Sequence, residues 1–160
     1  MRKDLTLAAC ATAVLVLIAA PARAQQFDLR ATLSGGGEVP DKVLTGAFGD
    51  ATCVADWGAR TVNCTVNVFN LPSGATGAHI HVGAEGVAGP VVCNAGVTPN
   101  LSNDFGFSFM CAASNLALRE DFGIRSIDDF LQAVLGGNTY VNVHSRVNPA
   151  GEIRGQIVPK

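Results

Sequence analysis

From residue 27 onward, apolar and polar positions alternate in short runs, punctuated by Gly, Pro, Asn and Asp. That pattern predicts short antiparallel strands of a sandwich or barrel. Residues 27–33 alternate as a first strand and lead into a loop that ends at Pro40. Residues 46–55 and 61–69 predict two strands about the turn Asp56-Trp57-Gly58-Ala59-Arg60. Closing Asp56 against Thr61 sets Cys53 opposite Cys64, close enough to bridge. Val66 and Val68 then face the same inward side as Cys64. Residues 77–82, 89–93 and 105–111 read as three more strands, with a long loop over 94–104. Residues 141–145 and 153–158 read as the closing pair, joined by Asn148-Pro149-Ala150-Gly151.

The period changes once. Ile127, Phe130, Leu131, Val134 and Leu135 fall on one helical face. Ser126 suits the N-cap, Asp128 and Asp129 suit the positive end of the dipole, and Gly136-Gly137 stops the helix. The start of the chain differs from all of this. Arg2 and Lys3 precede an apolar run over 8–20, and Ala22-Arg23-Ala24 offers the small residues a signal peptidase requires. The expectation is a signal peptide over 1–24 and a single mature domain over 25–160. Leu7-Ala8-Ala9-Cys10 also has the form of a lipoprotein box. Cleavage there would leave most of the apolar run on the mature chain, so the first reading is preferred. That run is shorter than the roughly 20 residues of a spanning helix, so an integral membrane protein is not expected.

Removing 1–24 takes Arg2, Lys3, Arg23 and Asp4 from a chain with 11 basic and 13 acidic residues. The remainder is acidic and holds no basic cluster, so nucleic acid is not an expected partner. Four of the five cysteines remain: Cys53, Cys64, Cys93 and Cys111. An even number in an exported chain predicts two disulfides, and none of these cysteines sits in a Cys-x-x-Cys. The strand register selects Cys53–Cys64. Cys93–Cys111 would staple the long hairpin around the 94–104 loop.

Three segments carry a family pattern. They are Leu33-Ser34-Gly35-Gly36-Gly37-Glu38-Val39-Pro40, Gly77-Ala78-His79-Ile80-His81-Val82-Gly83 with Gly89-Pro90-Val91-Val92, and Tyr140-Val141-Asn142-Val143-His144-Ser145 running on through Asn148 to Ile157. In this order they resemble the CHRD domain family, named after chordin. The resemblance implies a β-sandwich in an extracellular or periplasmic setting, and it carries no assigned chemistry. With the strand pattern, the expected fold is all-β: an antiparallel Greek-key β-sandwich with one short helix and two disulfides.

His79-Ile80-His81 followed by a late His144 is also similar to the copper ligands of copper-zinc superoxide dismutases. The likeness stops there, since the chain has three histidines in all and no histidine-rich zinc loop. Residues two apart on a strand share a face, about 6.5 Å apart, so His79 and His81 can converge on one ion. His144 completes a three-nitrogen set if its strand lies alongside, and imidazoles without thiolates favour copper among divalent metals. Otherwise the three are polar framework residues. Arg146, Glu152 and Arg154 are candidates to support such a site or guide an anion to it, or to form a structural polar network. Glu38 is expected to fix its loop by accepting backbone N–H bonds. Trp57 is expected at a hairpin tip.

Catalytic motifs are missing. Ser145 adjoins His144 and so points to the other face, and there is no Gly-x-Ser-x-Gly, phosphate loop or dinucleotide fingerprint. Asp128 and Asp129 serve the helix N-terminus. Three classes remain: an exported binding or structural module for an extracytoplasmic ligand or protein, a periplasmic copper-binding protein, and a copper-dependent redox enzyme.

Overall fold

The structure is a computed structural model that describes residues 25–97 and 102–160. The expected signal segment, with Cys10, lies outside the described residues. So do Pro99 and Asn100 of the 94–104 loop.

The described chain forms strands β1 (Gln26–Ser34), β2 (Phe48–Asp56), β3 (Thr61–Phe69), β4 (Ala75–Val82), β5 (Val91–Asn94) and β6 (Phe105–Ala112). Helix α1 (Ile127–Leu135) follows, then β7 (Thr139–Ser145), β8 (Ile153–Gln156) and the short β9 (Val158–Pro159). All pairings between these strands are antiparallel, in the order β5-β4-β7-β8-β1-β2-β3-β6, with β9 added to β1. Alternate residues turn inward. Leu29, Leu33, Val62, Val66, Ile80, Val141, Val143 and Ile153 meet in one core with no exposed surface.

The turn after β2 closes Asp56 against Thr61, and Cys53 pairs with Cys64 across the ladder as a disulfide. The second disulfide, Cys93–Cys111, also forms, but it does not staple a hairpin. Among the described strands β5 pairs with β4 and β6 with β3, at opposite ends of the order, so this bond ties together the two ends of the sheet. Beside it, Leu116 bridges Cys93, and the Ala117 N–H donates to the Val92 carbonyl at 2.8 Å. The sheet therefore curls around its core until its ends meet. Read across this seam, β3-β6-β5-β4 is a Greek key, with β3 beside β6 instead of beside its successor β4.

Helix α1 begins where expected, with the Ser126 hydroxyl accepting the Asp129 N–H at 3.2 Å. Phe130, Leu131 and Val134 lie fully buried in the common core. The chain leaves the helix through Gly137 at φ +70°, a left-handed position that suits glycine. No helix among the described residues is long and apolar enough to cross a membrane.

Candidate metal centre

Strand β4 pairs with β7, setting His79 opposite Asn142, His81 opposite Tyr140, and Gly77 opposite His144. Their neighbours Ala78, Ile80, Val141 and Val143 belong to the core, so the alternation of both strands puts the polar set on the opposite face. Strand β8 extends that face, with Arg154 opposite Asn142 and Gln156 opposite Tyr140. The three histidines, 65 residues apart at the widest, thus become neighbours. Ring centroids lie 4.8 Å apart for His79 and His144, 5.7 Å for His79 and His81, and 6.2 Å for His81 and His144. One nitrogen from each lies within 4.8 Å of the others.

Backbone carbonyls fix the tautomers. His81 Nδ1 lies 2.8 Å from the Gly89 carbonyl and His144 Nδ1 lies 2.9 Å from that of Pro149. A carbonyl only accepts, so in each neutral ring Nδ1 carries the proton and Nε2 keeps a free lone pair. His144 Nε2 stands 2.9 Å from His79 Nδ1, which must therefore donate to it. His81 Nε2 is buried and has no hydrogen-bond partner. Leaving such an acceptor unsatisfied costs about 1–3 kcal/mol.

All three rings are biased toward the neutral form. Burial, then His144, then His81 push the His79 pKa down to about 4. Burial also lowers His81, opposed by the Gly89 hydrogen bond and reinforced by His144 and Arg154. Burial lowers His144 against the opposing Pro149 hydrogen bond. Neutral imidazole is the form that binds metals.

A second layer holds these rings in place. Tyr140 stacks on His81 with centroids 4.9 Å apart. Its hydroxyl donates to the Gly89 carbonyl at 3.2 Å and accepts from the Gly89 N–H at 3.1 Å. The carbonyl that orients His81 is thus itself fixed. The Arg154 guanidinium sits 3.4 Å over the Tyr140 ring and donates to the Val87 and Ala84 carbonyls, tying down the loop after β4. Strand alternation through Tyr140-Val141-Asn142-Val143-His144 puts Tyr140 and Asn142 on the His144 face, and that alternation is the signal in the sequence that points to them.

The other sequence candidates separate. Arg154 joins this polar face, buried at 3% exposure. Glu152 is wholly buried and accepts from the Thr45 hydroxyl at 2.7 Å. Arg146 is exposed, and the ion pair found among the described residues is Arg60–Asp128. Glu38 anchors its loop, but through a side chain, accepting from Asn142 Nδ2 at 2.7 Å rather than from backbone N–H groups. Gly151, at φ +142°, makes room for that contact. A Cβ there would come within 2.7–2.8 Å of the Asn142 amide and the Glu38 carboxylate. Trp57, just past the end of β2, is 36% exposed.

A sequence profile of the CHRD domain matches residues 29–157, a span that holds all three histidines and both disulfides. No curated protein and no solved structure matches the chain.

Proposed function

Since the chain belongs to the CHRD domain family, we propose that it is an extracytoplasmic binding module whose ligand is a transition-metal ion held by His79, His81 and His144. The two disulfides and the family point to an extracellular setting, because such bonds persist in oxidising compartments. The proposed route there is export, periplasmic or secreted, through the segment over 1–24.

The observation that carries the metal reading is the buried, unpartnered Nε2 of His81 on a ring that clusters with two other imidazoles. Nitrogens each about 2.0–2.1 Å from one ion stand about 3–4 Å from one another, so the cluster needs only small side-chain shifts to close. His81 already offers a lone pair, and that of His144, which accepts the His79 proton at 2.9 Å, is released once that proton moves. The third appears when His79 carries its proton on Nε2 and turns Nδ1 to the ion. Carbonyl partners on the remote nitrogens are the usual support of histidine ligands. A donor set of imidazoles alone ranks Cu(II) first among the divalent ions.

The test is metal analysis of protein recovered from the exported fraction with no metal added during purification. Close to one copper per chain is expected. Metal-free protein from copper-replete cells would count against the reading.

A further inference from the structure

His79 and His144 line a cleft of about 300 Å³ together with Thr76, Gly77, Asn94, Val97 and Pro149. His81 does not line this cleft and is instead packed against Tyr140 and the Gly89 carbonyl. One side of the cluster is therefore closed by protein and the other opens outward. Gly77 is the residue opposite His144, and its missing side chain helps keep the cleft open. A Cβ there would reach ordinary contact distance of the His79 ring, 3.5 Å from Cε1 and 3.8 Å from Nε2. The backbone at Gly77 would tolerate a side chain, so the opening reflects space and not strain.

The charge of the donor set says what would enter. Three neutral imidazoles leave the full double charge of a divalent ion uncompensated. No thiolate or carboxylate belongs to the cluster, and Glu38 and Glu152 are bonded to Asn142 and Thr45 instead. Apart from the imidazoles themselves, the charge that acts on His81 is the Arg154 cation. A small anion entering from the cleft would neutralise part of this charge in a partly desolvated site.

Resting on the metal-site reading above, we propose that the bound ion keeps a coordination position open to this cleft and takes a small anion there. The anion's lone pair forms the new bond, a water leaves if one occupied the position, and no electron is transferred. Three protein ligands with a free position mark a reactive site, whereas a structural metal site is closed by four.

Azide is the probe, titrated into the copper(II)-loaded protein and followed by absorption and electron paramagnetic resonance. A saturable azide-to-copper charge-transfer band is expected, with the copper still bound. Gly77→Val, compared at one bound copper per chain, should weaken azide by at least about tenfold. Should that variant fold poorly, Thr76→Leu narrows the cleft from an exposed position and carries the same expectation. Azide leaving both spectra of the loaded protein unchanged would overturn the open position yet leave the metal site standing. So would two folded variants that bind azide like the parent. A protein that takes up no copper would instead remove the metal site on which the inference rests.

Discussion

Replacing Glu38 with Gln should stabilise the metal-free protein at pH 8 and change it little at pH 5. Glu38 is 5% exposed and accepts a single side-chain hydrogen bond, from Asn142. Burial pushes its pKa up from 4.5 to about 7, opposed by Asn142, Arg154 and Lys42. A carboxyl raised in this way contributes stability that is fully present below 4.5 and lost as the pH climbs through about 7. At about 1.4 kcal/mol for each tenfold, that rise sets a ceiling of about 3 kcal/mol. The group also borders an open cleft lined by Pro40, Val147 and Pro149, so solvent screening brings the expected effect to about 1–2 kcal/mol. Gln keeps the shape and the acceptor for Asn142 but never ionises. The assay is urea denaturation of both proteins at pH 5 and pH 8. Histidines with lowered pKa act in the opposite sense, losing stability as the pH falls through 6.5. The difference between the two proteins, rather than either curve alone, therefore isolates Glu38. Equal destabilisation of the variant at both pH values would refute the reasoning and show that hydrogen-bond geometry, not buried charge, governs the position.

Two other expectations concern covalent structure. Peptide mapping without reduction should return Cys53–Cys64 and Cys93–Cys111. Replacing Cys93 and Cys111 together with Ala should cost about 3 kcal/mol, from loop-closure entropy over their 18-residue separation. A loss below about 1 kcal/mol would mean that the backbone contacts of Leu116 and Ala117 hold the seam alone. The intact mass of exported protein should begin at Gln25, and acyl chains at Cys10 would contradict that cleavage.

Local rules made the β2–β3 ladder and the helix legible in sequence. A four-residue turn fixes which residues oppose one another, and a capped amphipathic face defines α1. The seam was not legible. Cys93 and Cys111 suggest a hairpin because they flank one loop, while the pairing of β6 with β3 depends on contacts far along the chain. The histidine face was half legible. Strand alternation puts His79 beside His81, and likewise Tyr140 and Asn142 beside His144. That β7 lies next to β4 is set by long-range strand pairing, which no local pattern encodes. The supporting acceptors at Gly89 and Pro149 are backbone carbonyls, and residue type gives no hint of them. Glu38 was recognised as an anchor, but its partner Asn142 lies 104 residues away. Arg146, a candidate to support the histidines, falls outside the site because β7 ends at Ser145 and the next side chain is exposed.

Calorimetric titration of Cu(II) into the metal-free protein, run beside His144→Ala, tests the metal-site claim most directly. The account predicts one ion per chain, bound at least about a hundredfold more weakly by the variant, with folding retained because His144 is only partly buried and outside the core cluster. Equal copper affinity in the two folded proteins would contradict it.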